Sequence, residues 1–555
     1  MDSSGEPPRK SVLKTTASYI ITTEFCERLA YYGFAGSLVL FFETKLNMSN
    51  EESVNQFYAW NGFVYVTPLL GGYIADTYLG RYKTILYFSV LYLIGLAMIV
   101  FGSVPGAVLV PVVFLAMYII AMGAGGIKPN VSTMGADQFD PQFEQDKKEA
   151  AQFFSYFYWS INLGALVAYV SVAYLCQYGL PFLGGQDWGF FFGYLIPTIM
   201  MAVGVCVFVS GSKNYKHVKP RGSMLSMAGG ILVEALWTRH SFKSPTGFLL
   251  DKASSLHGGS YAQNDVEGMK YVAKLAPFLG VMIPYWGIYG QTKTAFQIQG
   301  CQMDSELGGF QLPISAMNIF NNVAILILVP LCDQYFFPML KEKGYNLSML
   351  NKIGIGFFFA TLAMVTAALI EMYRLQQAPD SGAYDDDSAK DHISPCRNID
   401  DFDPYQYQKW YAGDEDTEPQ NCSETCDTID ENGLLSLDCI DCDDIPQYSN
   451  LTIFWQVPQF ILIGISEIFT SITSLEFFYS QAPTRMRSVS QASNLLTNAL
   501  GSWLTIPLTL LVNSNANHPW IASDIDDGEL GYYFYLLAGL MALALLLFSY
   551  LSAGY

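Results

Sequence analysis

Apolar residues come along this chain in long unbroken runs, not at the spacing of amphipathic helices or half-buried strands. About twelve such runs, each near the 20 residues that carry a helix across a bilayer, stand at 18–42, 57–77, 83–103, 108–131, 152–176, 188–210, 275–298, 311–332, 353–373, 452–475, 487–512 and 531–552. They predict an all-α membrane protein with two groups of six spans. The chain divides into a polar start (1–17), six spans (18–210), a polar linker (211–274), three spans (275–373), an acidic insert (374–451) and three last spans (452–555). With 51% hydrophobic and 15% aromatic residues in 555, a soluble enzyme is excluded. The first apolar run is too long and too charged for a cleaved signal, so none is expected.

Positive charge in the short loops sets the orientation. Arg81, Lys83, Lys147, Lys148, Lys213, Lys216, Lys341, Lys343, Arg485 and Arg487 all fall after even-numbered spans. That side is read as cytoplasmic, with both termini there. The formal charge of −20 is local: residues 379–450 hold 20 Asp or Glu against 3 Lys or Arg, a surplus of 17. The insert between the ninth and tenth spans therefore lies outside the cell, and the body is near neutral, with nothing to attract nucleic acid. It holds Cys396, Cys422, Cys426, Cys439 and Cys442, and Cys301 on the same face makes six. In an oxidising compartment these read as disulfides, not as zinc ligands, with the pairing open. Asn47, Asn421 and Asn450 begin glycosylation sequons on that face. The insert also offers a surface to an extracellular protein partner.

Ionisable residues inside the spans carry the candidate chemistry. A charge in lipid costs about 2.5–3.5 kcal/mol on insertion scales and by default marks function. Glu24, Glu27 and Arg28 share one face of the first span, and Tyr31 extends the stripe by a turn. Lys128 follows a glycine cluster in the fourth span, and Glu467 sits mid-way along the tenth. A buried ammonium needs a counter-charge, which makes Glu467 the natural partner in the opposite half.

Five motifs resemble one family. They are Glu24-x-x-Glu27-Arg28-x-x-Tyr31-Tyr32-Gly33; Gly71-Gly72-Tyr73 through Asp76 to Gly80-Arg81-Tyr82-Lys83, similar to a loop of the major facilitator superfamily; Gly125-Gly126-Ile127-Lys128-Pro129-Asn130; Phe153 to Tyr158 with Asn162-Leu163-Gly164; and Leu475-Glu476-Phe477-Phe478-Tyr479 through Pro483. Together they resemble the proton-coupled oligopeptide transporter family, also called the peptide/nitrate transporter family. The resemblance implies a major facilitator fold of 12 helices in two six-helix bundles. It also implies a proton-coupled symporter of di- and tripeptides that uses no cofactor beyond the coupling proton. Glu24, Glu27 and Arg28 would couple proton to substrate, and Lys128 and Glu467 would pair across the halves. Arg28, Tyr31, Tyr32, Tyr65, Lys128, Asn162, Trp286, Asn321 and Glu467 would bind the peptide.

The chain departs from that pattern at several places. Tyr58 stands where mammalian relatives carry a proton-handling histidine, and Gly290 where a seventh-span acid is usual. Lys293 is an added cation, Asn494 replaces a tryptophan, and Tyr289 matches the nitrate-binding histidine of some plant relatives. Two alternatives stay open: another small anionic or zwitterionic solute, such as an amino acid, a nitrate-like ion or a metabolite, and a transporter-like receptor or scaffold. The plasma membrane is the expected location ahead of an endolysosomal or vacuolar one.

The insert combines high charge, few aliphatics and cysteines, a profile unsuited to lining a membrane cavity. Replacing residues 380–447 by a short Gly/Ser linker is expected to leave substrate affinity and proton coupling within a few-fold in vesicle uptake assays. Correctly folded protein that lost substrate binding would move the site to the insert.

Overall fold

The computed structural model describes residues 11–237, 248–377 and 449–555, apart from positions 107, 141, 221, 309, 346, 516, 517, 523, 524, 526 and 527. Residues 378–448 of the insert, which hold its five cysteines and Asn421, lie outside the described residues, so the readings made for them are not addressed by the structure.

A π-helical turn, Leu13–Ala17, runs into α1 (Ser18–Gly36), and after a break at Ser37 the chain continues as α2 (Leu38–Lys45). Ser49 starts α3 (Asn50–Ile74) with a capping box: its hydroxyl accepts from the Glu52 N–H at 3.2 Å, and the Glu52 carboxylate accepts from the Ser49 N–H at 3.2 Å. The first half continues with α4 (Arg81–Gly102), α5 (Val110–Ile127), α6 (Val131–Ala136), α7 (Glu144–Val167), α8 (Ala173–Tyr178) and α9 (Gly189–Ser210). The linker carries α10 (Met224–Trp237) and α11 (Gln263–Lys274). The second half holds α12 (Ala276–Tyr289), α13 (Ala295–Cys301), α14 (Asn318–Leu331), α15 (Phe337–Glu342), α16 (Met349–Leu375), α17 (Val457–Glu467), α18 (Thr473–Gln481), α19 (Arg487–Val512) and α20 (Leu530–Ala553). After α13 the short strand β1 (Met303–Asp304) pairs with β4 (Ser449–Thr452), which precedes α17, and β2 (Glu306–Leu307) pairs with β3 (Phe310–Gln311).

Among the described residues, nine helical segments are long and apolar enough to cross a membrane, or ten if α11 and Ala276–Cys301 are counted as one span bent by 44°. The first two expected spans are helical but fall outside that set. Three ionisable groups interrupt α1, and Trp60, Asn61 and Tyr65 dilute α3. Phe101, Leu511, Leu543 and Leu546 are well over half exposed on the outer surface, as lipid-facing side chains are.

In the first half α1 packs on α7 and α9, α4 on α5 and α9, and α3 on α5. In the second, α16 packs on α17 and α20, α12 on α19 and α20, and α14 on α17. Without a hydrophobic drive between helices in lipid, close backbone approach carries this packing. The glycine cluster in α5 shows it: a Cβ on Gly71 would strike the backbone of Gly125 and Gly126, and one on Gly126 would strike the Phe88 ring. Thr67 and Asn130 fill the remaining hydrogen-bonding capacity, donating to Ala121 O (2.7 Å) and Gly126 O (2.9 Å).

The halves meet where α3 lies on α19 and α7 on α14. Among the described residues, the direct hydrogen bonds between them gather toward the insert end. Ser315 Oγ and Gln297 Nε2 both donate to Gly36 O (2.7 and 3.1 Å), the Ile314 N–H donates to Gln177 Oε1 (2.9 Å), and Asn61 Nδ2 donates to Ser502 Oγ (2.8 Å). Tyr58 from α3 is held by Gln291 Nε2 (2.8 Å), Thr294 Oγ1 (3.1 Å) and Gly287 O (3.2 Å). At the opposite end the linker docks on both halves. Its first part bonds Asp76 and Gln138, with Gly222 N–H to Asp76 O at 3.0 Å and Lys216 N–H to Gln138 Oε1 at 2.8 Å. Its last helix reaches the second half through the Arg485–Asp265 pair at 3.0 Å.

Tyr58 is the most connected member of this seal. At about 0.5–1.5 kcal/mol net for each buried hydrogen bond, Tyr58→Phe is expected to shift the balance toward parting at the insert end by about tenfold. Spin labels placed across the halves at that end should show a new long-distance population. An unchanged distance distribution would show that the seal does not rest on Tyr58.

Candidate functional site

The α1 cluster is buried as its cost in lipid requires, with Glu24, Glu27 and Arg28 at 2%, 0% and 9% exposure. Arg28 Nε lies 2.7 Å from Glu24 Oε1 and equally close to Glu27 Oε2. Only the contact with Glu24 has hydrogen-bond geometry, and neither Glu27 oxygen has a hydrogen-bond partner. One guanidinium thus serves two carboxylates unequally. The face is presented inward because α7 comes close at Gly164, where a Cβ would lie 2.9 Å from Phe25 O and 3.0 Å from Arg28 Cβ.

One turn on, Tyr31 is a hub for cations. Lys128 Nζ stands 4.1 Å from its ring centroid and 4.6 Å from that of Tyr65. Lys293 Nζ is 5.6 Å from the Tyr31 ring and 5.3 Å from Tyr32, and Arg28 is 6.0 Å from Tyr31. Such distances are within reach of cation–π attraction, which strengthens where water is excluded.

Beside this hub lies a cavity of about 70 Å³ between the halves. The first half supplies Tyr32 from α1, Tyr158 and Asn162 from α7, and Tyr169 from the π-helical turn Ala168–Val172. The second supplies Tyr289, Lys293, three asparagines of α14 (Asn318, Asn321 and Asn322) and Glu467. Glu467 ends α17, where a second π-helical turn, Ile468–Ile472, begins. Such turns recur at functional sites because they re-aim side chains within a helix. Three buried polar atoms of the lining residues lack partners: Glu467 Oε2, Asn321 Oδ1 and Asn322 Nδ2. Buried groups of this kind call for a hydrogen-bonding occupant.

Of the residues expected at the site, Tyr32, Asn162, Asn321 and Glu467 line the cavity, while Arg28, Tyr31, Tyr65 and Lys128 form the charged layer beside it. Trp286 is not among the lining residues; its ring meets Tyr285 and Tyr289 edge-on at 5.2 and 5.8 Å. Lys128 and Glu467, expected as a pair, form no ion pair in this conformation, because the Lys128 ammonium is turned onto the Tyr31 and Tyr65 rings. Tyr158, Tyr169, Asn318 and Asn322 were not singled out from the sequence. Nothing in their local pattern separates a cavity-facing polar residue from one that bonds a neighbouring helix.

Two departures from the family pattern meet in space. A Cβ at Gly290 would lie 2.7 Å from Tyr58 Cε1, so the missing side chain at Gly290 makes room for the Tyr58 ring. At the insert end, Asn47 and Asn450 are both exposed, and Cys301 is buried at the end of α13.

A family model described as the POT family matches residues 82–403 and 434–522. The Arabidopsis thaliana protein NRT1/PTR family 8.1 is 32% identical over 97% of this chain and 93% of its own length. NRT1/PTR family 8.3 from the same plant is 31% identical over 100% and 94%. In fold, the chain is similar to the crystal structure of the POT family transporter PepTSo, with a TM-score of 0.71 at 22% identity, covering 99% of each chain. With a family model that matches most of its length and relatives of this similarity across nearly all of it, the chain belongs to the POT family of membrane transporters.

Proposed function

We propose that this chain is a proton-coupled symporter of di- and tripeptides that works by alternating access through 12 membrane helices. The observation that carries the reading is the sharing of Arg28 by Glu24 and Glu27, with both Glu27 oxygens lacking a hydrogen bond. Two buried carboxylates share one guanidinium, so a single proton brings the cluster to charge balance. Neutralising one acid weakens the hold on Arg28, which is then released toward a substrate carboxylate with Lys128 behind it. Protonation and substrate binding are thereby linked. About 1.4 kcal/mol per pH unit and about 2.3 kcal/mol per 100 mV let each proton concentrate a solute more than tenfold.

The cavity suits a peptide's two charged ends. Glu467 with Asn162 and Asn321 receives the amine, and the tyrosines around it offer faces for side chains. With the insert outside the cell, the seal at the insert end makes this an inward-facing state, and the site lies between halves, as alternating access requires. The proposal extends to the plasma membrane as location, to disulfides among Cys301 and the insert cysteines, and to glycans on Asn47, Asn421 and Asn450. A second reading, a smaller zwitterionic or anionic solute, is favoured by the modest cavity volume of about 70 Å³. Accumulation of labelled dipeptide, but not of a labelled amino acid, in proteoliposomes under an imposed pH gradient supports the first reading. The reverse supports the second.

Glu24→Gln or Glu27→Gln is expected to abolish accumulation against a gradient while retaining counterflow exchange, because exchange needs binding and reorientation but no net proton release. Both variants still concentrating substrate would overturn the coupling assignment.

A further inference from the structure

We propose that Lys293 is an additional carboxylate-reading residue of this cavity, which receives the substrate carboxylate in the inward-facing state while Arg28 is still held by Glu24 and Glu27. The inference rests on the peptide-transport reading and names a specificity determinant within it.

Among the lining residues of the cavity, one carries a positive charge and one a negative charge: Lys293 and Glu467. The other cations nearby are engaged. Arg28 is held by Glu24 and Glu27. Lys128 sits on the Tyr31 and Tyr65 rings, and neither it nor Arg28 is part of the cavity wall. Lys293 belongs to no ion pair among the described residues, and its ammonium lies 5.3 and 5.6 Å from the Tyr32 and Tyr31 ring centroids, farther than Lys128 lies from its two. An ammonium and a carboxylate facing one cavity without closing on each other make a dipolar lining. The complement of that lining is a zwitterion with its carboxylate at Lys293 and its ammonium at Glu467, where Glu467 Oε2 and Asn321 Oδ1 lack partners.

The backbone that carries Lys293 is held in place before substrate arrives. Lys293 ends the tight 3₁₀ turn Gly290–Lys293, which interrupts the span between α12 and α13, and Thr294 follows in a non-helical conformation at φ −131°, ψ −101°. Broken helices of this kind place functional groups at the middle of transporter membranes. Gln291 fastens the turn to Gly287 O (3.1 Å), to Tyr58 Oη (2.8 Å) and to Tyr533 Oη (3.3 Å), and Asn318 Nδ2 donates to Thr292 O (3.2 Å). The same turn thus forms part of the seal through Tyr58 and of the cavity through Lys293. A held anchor loses less entropy on binding than a mobile one.

The test measures counterflow affinity in proteoliposomes for Ala-Ala and for its C-terminal amide, with wild type, Lys293→Gln and Lys293→Arg. Wild type is expected to prefer the free acid by about tenfold or more, the scale of one lost charge-assisted hydrogen bond. In Lys293→Gln that preference should collapse, with affinity for the acid falling while the amide changes by less than about threefold. Lys293→Arg should restore most of it. Unchanged affinity for the amide also reports an intact fold. If Lys293→Gln carries neither compound, ligand-induced thermal shifts of the purified variant replace uptake, and the same collapse of preference is required. Lys293→Gln retaining the wild-type preference overturns the inference and leaves peptide transport standing. Wild type that carries and binds neither compound overturns both.

Discussion

Everything at the centre of this molecule follows from burying Glu24, Glu27 and Arg28 together on one membrane helix. Charges cannot face lipid cheaply, so α1 must turn that face to α7, and the small residue at Gly164 is what lets α7 approach. Once inside, two carboxylates and one guanidinium leave a residual negative charge. The cations that answer it come from different helices, Lys128 at the end of α5 and Lys293 at the break between α12 and α13, and both gather round the Tyr31 ring. Replacing such a cluster with apolar residues often costs a protein little stability or even adds some. Its presence in α1 therefore points to function, and proton coupling is the use proposed for it above.

A second constraint is that the two halves must hold together without locking. Besides the packing of α3 on α19 and of α7 on α14, the halves are joined by scattered hydrogen bonds near Gly36, Tyr58, Asn61 and Gln177. Each such bond contributes only about 0.5–1.5 kcal/mol. Within a half, glycines let backbones touch, as at Gly71 with Gly125 and Gly126. Rigid halves with a breakable seam are what rocking transport needs.

Three of the departures from the family pattern, at Tyr58, Gly290 and Lys293, meet in one place. Gly290 lacks a side chain where an acid is usual, the freed space takes Tyr58, and Tyr58 fastens a turn that ends in Lys293. The seal in this chain is therefore built on neutral hydrogen bonds around Tyr58, and the charge on that turn faces the cavity.

Much of the fold was legible in the sequence, because lipid admits few solutions: a spanning segment must satisfy its own backbone, so the long apolar runs are helical, nine or ten of them long and apolar enough to span a membrane among the described residues. The buried charges were legible for the same reason, since Glu24, Glu27, Arg28, Lys128 and Glu467 stand out against apolar surroundings. Which helix faces meet was not legible. Rotation of a helix about its axis depends on packing against several neighbours at once, and an asparagine or tyrosine within a span looks alike whether it bonds another helix or faces a void. Hence Tyr158, Tyr169, Asn318 and Asn322 emerged at the cavity only from the tertiary structure, while Trp286 moved off its wall. The same cause separates Lys128 from Glu467. The chain shows that each needs a counter-charge, but the rotation of α1 and α3 put two tyrosine rings beneath Lys128, and the break after α12 brought Lys293 to the cavity that Glu467 lines.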